Sequence, residues 1–318
     1  MNILVTGGSG FIGHKVSNNL VSQGHKVTII DKKINYGDLT DQEFRHLLIH
    51  RRVNCEKHYN FDILENGLLT QVFYSNKFDI VIHCASPPRQ KIVQLNPQYS
   101  SRVMIEGLIN LLELSVKHKV PKFVFISSSM VYGNFVNHTI ETTVCQPIGT
   151  YGILKLAGEQ LVKDFYNDYN YTIIRPSAVY GPCDSKDRVI AKFLFAAMND
   201  SEIIVNGKDE HLDFSYIDDV ANGICLAALS DNSKNKVYNI TRSESIGILY
   251  AAKLIISLVG KGKLVVKDRQ LNFPSRGSLT ISKARKDFGY EPAINIEQGL
   301  KLYYDWLRNS VLWSSTTI

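Results

Sequence analysis

Cysteine is sparse in this 318-residue sequence, and none of the five (Cys55, Cys84, Cys145, Cys183, Cys225) forms a C-x-x-C pair. An odd, scattered set argues against a disulfide framework or a zinc site and fits reduced thiols in a cytoplasm. Long hydrophobic runs are missing too: the longest apolar stretches, such as Ile246 to Val259, are too short and interrupted to span a bilayer. Met1 leads straight into a strand pattern, so no signal or transit peptide is expected. Charge of one sign is also scarce. The net charge of +6 suits an anionic small substrate, yet no Lys/Arg stripe or interleaved aromatic platform suggests nucleic acid. His46 and His50 stand one helical turn apart without a carboxylate or cysteine partner, so they read as a solvated helix face and no metal is expected. No internal repeat or low-complexity segment is found. With 44% hydrophobic residues, the chain can bury a large core as one domain or two intimate ones.

The first 31 residues contain what these absences leave room for. Asn2 to Thr6 reads as a buried strand, Gly7-Gly8-Ser9-Gly10-Phe11-Ile12-Gly13 as a glycine turn, and an amphipathic helix follows through Leu20. A second strand, Lys26 to Ile30, ends on Asp31. Glycine lets backbone turn tightly and approach a pyrophosphate, and the helix that opens there points free N–H groups at the phosphates. Two registers fit the fingerprint, Gly8/Gly10/Gly13 and Gly7/Gly10/Gly13. Asp31 would accept hydrogen bonds from an adenosine ribose diol and repel a 2′-phosphate, favouring NAD over NADP. Lys32 and Lys33 weaken that preference, because either can compensate a phosphate.

Strand and helix patterns then alternate to about residue 175. Tyr59 to Ile63 lies near the end of a third strand, and Asp79–His83, Lys122–Ile126 and Thr172–Arg175 read as further strands. Helical patterns run from Met104 to Lys117 and from Tyr151 to Tyr169. Strands without polar alternation imply a sheet covered on both faces, hence parallel strands with right-handed crossovers. The expected fold is a doubly wound α/β Rossmann domain (residues 1–180 and 212–240) with a smaller C-terminal α/β substrate lobe (181–211 and 241–318). The lobe is read from helices at Ile190–Met198 and Leu249–Val259, a short strand at Ile203–Val205, and a return segment from Asp213 to Ser230.

Tyr151 and Lys155 stand at i and i+4, a phenol and an ammonium on one helix face. The strand Lys122–Ile126 runs into Ser127-Ser128-Ser129-Met130-Val131-Tyr132-Gly133, past a carboxyl end that in an open α/β sheet lines the ligand crevice. With these residues the chain resembles an extended short-chain dehydrogenase/reductase of the nucleotide-sugar epimerase/dehydratase group. The resemblance also rests on Phe61-Asp62-Ile63, His83 to Ser86, Arg175 to Pro182, Asp213 to Val220 and Tyr238-Asn239-Ile240, in the family's order over residues 1 to about 300.

The resemblance implies roles. Tyr151 would be the acid/base at a sugar hydroxyl, Lys155 would hold the nicotinamide ribose and favour the phenolate, and Ser128 would hydrogen-bond the reacting oxygen. NAD contacts are expected from Gly7, Gly10, Phe11, Ile12, Gly13, Asp31, Lys32, Asp62, Ile63, Cys84, Ala85, Ser86, Ser127, Pro176 and Val179, besides Tyr151 and Lys155. Substrate contacts are expected from Arg89, Ser128, Ser129, Met130, Tyr151, Ser177, Ala178, Arg188 and Arg276. An unperturbed tyrosine titrates near ~10, so a base at neutral pH needs its phenolate stabilised by roughly 4 kcal/mol. The adjacent ammonium and the positive nicotinamide are expected to supply it.

Departures from the family pattern narrow the chemistry. Ser129 and Met130 replace the Asp-Glu pair of the dehydratases, and Met130 also replaces the cysteine of the 3,5-epimerases. A thioether moves no proton. What remains is redox at one carbinol: 4-epimerisation through a 4-keto intermediate, or net oxidation or reduction by a 4-dehydrogenase or 4-ketoreductase. A non-catalytic NAD sensor is a third reading. Leu212 stands where relatives carry a diphosphate-gripping arginine, leaving Arg188 and Arg276 as candidate replacements. Asp218 and Asp219 are expected to cap a helix, Cys84 to be a packed thiol, and Arg175 to anchor a strand end. The resemblance further implies a nucleotide-diphosphate sugar as partner and a homodimer built on the helices near 104–117 and 151–169.

Overall fold

The apolar runs within residues 2–6, 26–30, 80–83, 122–126 and 170–176 become strands of one parallel sheet with both faces covered. The computed structural model describes residues 1–36, 39–166, 170–269 and 274–310. Its first half alternates β1 (Asn2–Thr6), α1 (Phe11–Ser22), β2 (Lys26–Ile30), α2 (Asp41–His50), β3 (Lys57–Tyr59), α3 (Asn66–Tyr74) and β4 (Ile80–His83). Next come the short helices α4 (Arg89–Leu95) and α5 (Pro97–Ser101), then α6 (Gly107–Lys117), β5 (Lys122–Ile126), α7 (Thr150–Phe165) and β6 (Asn170–Pro176). The sheet order is β11-β6-β5-β4-β1-β2-β3, with every pairing parallel; β11 is Lys236–Ile240. Chain order reverses between β1 and β4, the switch point where such sheets bind ligands beyond their carboxyl ends.

Side-chain alternation explains the layers. In β1, Ile3 and Val5 join a core containing Val16 and Leu20 of α1, while Leu4 joins one containing Leu108, Leu111 and Leu112 of α6. Each buried side chain of this kind contributes roughly 1.5–3 kcal/mol, so a one-residue slip in register would misplace both layers.

The later elements are β7 (Val179–Tyr180), α8 (Val189–Met198), β8 (Glu202–Asn206), β9 (His211–Leu212), β10 (Ser215–Tyr216) and α9 (Ile217–Leu229). After β11 follow β12 (Ile246–Gly247), α10 (Ile248–Val259), β13 (Lys263–Lys267), α11 (Ser282–Phe288) and α12 (Ile296–Arg308). They form three two-stranded ribbons, β7 with β10, β9 with β12 and β8 with β13, while β11 returns to the edge of the main sheet.

Three local expectations are corrected. Sheet pairing stops at Tyr59, so Phe61 to Ile63 lies in a turn, where Asp62 Oδ1 accepts the backbone N–H of Leu64 at 3.1 Å. The helix expected to reach Tyr169 ends at Phe165, and residues 167–169 lie outside the described ones. Asp218 and Asp219 do not cap their own helix. Asp218 pairs with Lys15 of α1, and Asp219 accepts the backbone N–H groups of Ala293 and Ile294 at 3.0 and 2.9 Å, pinning the approach to α12. The stretch around Met104 begins as a π-helical turn, Arg102–Glu106, before α6. His50 packs edge-on against Trp306, and no group of three or more His, Cys, Asp or Glu suited to a metal occurs among the described residues. No helix among them is long and apolar enough to cross a membrane.

Candidate active site

One cleft of about 1260 Å³ runs along the carboxyl ends of the sheet, and its lining begins at the glycine turn. Gly7 has a left-handed backbone (φ 72°), and a Cβ there would lie 2.6 Å from the Ala85 nitrogen. A Cβ on Gly13 would sit 2.0 Å from the Gly7 carbonyl oxygen, which also accepts the Gly10 N–H at 2.9 Å. The turn therefore closes only with glycine at 7 and 13, whereas Gly8 faces away, against Ile29. That selects the Gly7/Gly10/Gly13 register. Gly10 caps α1 without a side-chain bond, and no acid stands in the first turn, so the helix's first N–H groups face the cleft without a side-chain acceptor.

Beside the turn, the Asp31 carboxylate accepts Ser9 N–H at 2.8 Å and Lys33 N–H at 2.6 Å, which fixes it at the end of β2. Lys32 donates to Asp62 at 3.0 Å, so its ammonium is tied to a carboxylate rather than free for a 2′-phosphate. Asp62 also accepts the Tyr99 hydroxyl at 2.8 Å. Despite burial, these donors hold its carboxyl below the usual range.

The reactive side chains sit where β5 meets α7. Gly149 (φ 86°) precedes α7, and the Tyr151 N–H donates to the Gln90 side chain of α4 at 3.0 Å. Ser128 caps the short 3-10 turn Ser129–Tyr132, accepting Met130 N–H at 3.2 Å, and its hydroxyl acts on the Tyr151 phenol, favouring loss of the phenol's proton. Lys155, one turn along α7, donates to the Ile126 carbonyl at 2.8 Å and lies 5.9 Å from the Tyr151 ring centroid. Burial pulls Lys155 down to about 8, opposed by Cys84 and Glu159. Burial pushes the Tyr151 phenol up, although Ser128, Arg188 and the Arg89 backbone act the other way. In the chain alone, loss of hydration outweighs the groups that favour the phenolate, and Lys155 donates a hydrogen bond to a carbonyl. Cys84 is a packed thiol, pushed by burial to about 12.

Guanidinium groups stand along the other side of the cleft. Arg89, itself left-handed at φ 62°, pairs with Asp187 at 2.5 Å. Arg188 lies 3.5 Å from Asp184 and donates to the Val179 carbonyl at 2.9 Å. Arg276 forms no comparable ion pair among the described residues. Its Nε is buried without a hydrogen-bond partner among the described residues, and a terminal nitrogen lies 3.9 Å from the Met130 sulfur. Burial, then the positive charge of Arg188, pulls Arg276 down to about 10, with the more distant Glu210 acting the other way. Ala178 is another left-handed residue (φ 36°) in the lining, and such backbone is retained where its surroundings enforce it.

A family model described as the NAD-dependent epimerase/dehydratase family matches residues 3–241, well over half of the chain. The chain belongs to the NAD-dependent epimerase/dehydratase family. A putative UDP-glucose 4-epimerase of Methanocaldococcus jannaschii is 30% identical over 97% of this chain and 99% of its own length. The UDP-glucose 4-epimerase of Thermotoga maritima, solved with UDP-glucose, superposes with a TM-score of 0.88 at 29% identity, covering 97% of this chain and 99% of that one. The UDP-glucuronic acid 4-epimerase of Bacillus cereus, solved with UDP-glucuronic acid and NAD, gives 0.89 at 27% identity with the same coverage.

The residues present fit the family's cofactor. A cradle that closes only around glycine, an open helix N-terminus and a fixed carboxylate at the end of β2 suit the pyrophosphate and adenosine ribose of NAD. The cleft exceeds the roughly 300–1,000 Å³ of an ordinary single-ligand pocket, leaving room for a second molecule. Every residue expected to contact cofactor or substrate lines this cleft except Ser177, which is buried behind Ser129 at 3.2 Å between hydroxyl oxygens. Ser127 lines it, but its hydroxyl donates inward to Glu159 at 2.6 Å. Several lining residues escaped the sequence reading: Tyr36, Tyr99, Gln90, Asp187, and Phe44, Leu47 and Arg51 of the α2 region. Of these, α2 had a local signal, the capping box of Thr40 and Glu43, but nothing in it pointed across to the cleft.

Proposed function

We propose that this protein is an NAD-dependent nucleotide-sugar 4-epimerase that acts through a 4-keto intermediate on a UDP-linked hexose or hexuronate. The observation that carries this reading is the Ser128, Tyr151 and Lys155 set beside the glycine turn, with Ser129 and Met130 as neighbours. Neither neighbour supplies an additional general acid or base. Bound NAD would supply a reversible hydride sink at the sugar carbinol. Tyr151 takes the C4 hydroxyl proton and returns it on reduction, while the Ser128 hydroxyl, in the same cleft lining, orients the same oxygen. Lys155 positions the nicotinamide ribose and carries positive charge near the phenol. Arg276, with Arg188, binds the diphosphate, since a dehydrated guanidinium without a paired carboxylate gains most from phosphate oxygens.

Residues 1–180 and 212–240 serve as the cofactor domain and 181–211 with 241–318 as the substrate lobe. The protein works as a homodimer through α6 and α7, a reading consistent with the exposed Ile153 on α7. A cytoplasmic setting agrees with five free cysteines. Incubation of the purified protein with UDP-glucuronate and, separately, UDP-glucose tests the function by anion-exchange chromatography and absorbance at the NADH band. The expected result is the C4 epimer without net NADH. Stoichiometric NADH or an accumulating keto sugar would overturn it.

A further inference from the structure

Glu159 lies on α7 one turn beyond Lys155 and two beyond Tyr151, on the same helix face, and is 0% exposed. Its carboxylate accepts the Ser127 hydroxyl at 2.6 Å and two donors of Arg175, Nε at 2.9 Å and Nη2 at 2.6 Å. Ser127 stands next to Ser128 and follows Ile126, whose carbonyl accepts a hydrogen bond from Lys155. Arg175 is in β6, next to the cleft-lining Pro176, and also donates to the Glu141 carbonyl at 3.1 Å while lying 4.7 Å from the Tyr132 ring centroid. One carboxylate thus joins the helix of the reactive pair to two strand ends of the cleft floor.

We propose that Glu159 is a positioning residue of the active site: it locks α7 to the ends of β5 and β6 and so fixes Lys155, one turn before it on the same helix face, against the Ile126 carbonyl. The catalytic consequence rests on the epimerase reading; the effect on Lys155 does not. The groups around this pair leave Lys155 as the one titrating near neutrality. From β4, His83 is held near 3 by burial and then by Lys155, and Cys84 is pushed to about 12. From the 3-10 turn, Tyr132 is pushed to about 12 by burial. Burial likewise raises Tyr151 of α7 and Cys145 of the loop that precedes α7. Arg175 of β6 is held above its usual value by Glu159, against the effect of burial, and Glu141 supplies a carbonyl to it.

The test compares wild type, Glu159→Gln and the double variant Glu159→Gln/Arg175→Met. Replacing both members of a buried ion pair commonly preserves the fold where removing one does not. The NMR titration of ¹³Cε-lysine in the cofactor-free protein, with the Lys155 signal assigned by Lys155→Met, reads the ammonium directly. Glu159 raises Lys155 against burial, so the expected Lys155 midpoint falls by about one pH unit in Glu159→Gln, where an opposite charge is lost and the Arg175 cation stays, and by less in the double variant, which loses a charge of each sign. If the wild type epimerises, kcat falls roughly 10- to 100-fold in both variants, with KM for the nucleotide sugar within about twofold. The alkaline limb moves to lower pH with the Lys155 midpoint. An unchanged Lys155 midpoint in folded Glu159→Gln overturns the proposal, as does recovery of wild-type kcat in the folded double variant. Absence of epimerisation by the wild type refutes the functional reading alone, because the titration still decides the role of Glu159.

Discussion

Arg175, beneath the cleft floor, and Arg276, in its wall, are dehydrated guanidiniums in opposite company. Arg175 is clasped by Glu159 on two nitrogens and stays strongly basic. Arg276 meets a thioether and a second arginine, and its affinity for the proton drops. A buried charge with its counter-ion holds protein to protein; one left without a paired carboxylate is the natural receptor for an anion from outside. The cofactor end differs again, with glycines, backbone N–H groups and short carboxylates forming the grip and few long side chains needed.

Four measurements would break or sharpen this contrast. The largest effect belongs to neither arginine but to the phenol between them. Tyr151→Phe should lower kcat by about 10²- to 10⁴-fold, the usual range for a general acid–base group, in a protein that still folds. Near-wild-type turnover in a UDP-sugar epimerisation assay would remove Tyr151 from the chemistry. Breaking the paired charge should show as stability. Glu159→Ala strands the Arg175 cation and should cost about 3–5 kcal/mol in urea denaturation; a loss below about 1 kcal/mol would mean the pair is not structural.

Breaking the unpaired charge should do the reverse. Arg276→Met should weaken UDP binding by calorimetry by roughly 1.5–3 kcal/mol, the value of a hydrogen bond to a charged group. The ligand-free thermal midpoint should hold or rise, because a dehydrated cation has been removed; a marked drop would place Arg276 with Arg175 as structural. The smallest effect is in pH. Lys155 carries its charge below about 8 and loses it above. Activity should therefore decline as pH rises through that value, in a profile of kcat/KM from pH 6 to 10. A profile flat to pH 10 would show that its charge is not required.

Much of the fold was readable because its signals are local and periodic. Ile3, Leu4 and Val5 announce a strand buried on both faces by their lack of polar alternation, and no distant partner is needed to recognise it. Gly7, Gly10 and Gly13 likewise announce a turn that side chains would block. Tyr151 and Lys155 share a helix face by spacing alone. Ser177 illustrates the limit, since next to cleft-lining Pro176 and Ala178 it turns inward to Ser129. Asp219 is another, a helix-start carboxylate recruited by backbone 74 residues away.

What the sequence determined by itself was the apolar strands of the main sheet, the glycine cradle and the phenol–ammonium spacing, because each depends on residues within a few positions of one another. Tertiary structure alone decided that Glu159 answers Arg175 and Ser127, that no carboxylate among the described residues forms an ion pair with Arg276, and that α2 borders the cleft. Charge pairing and dehydration depend on which distant segments pack together, and one-dimensional spacing carries no measure of either.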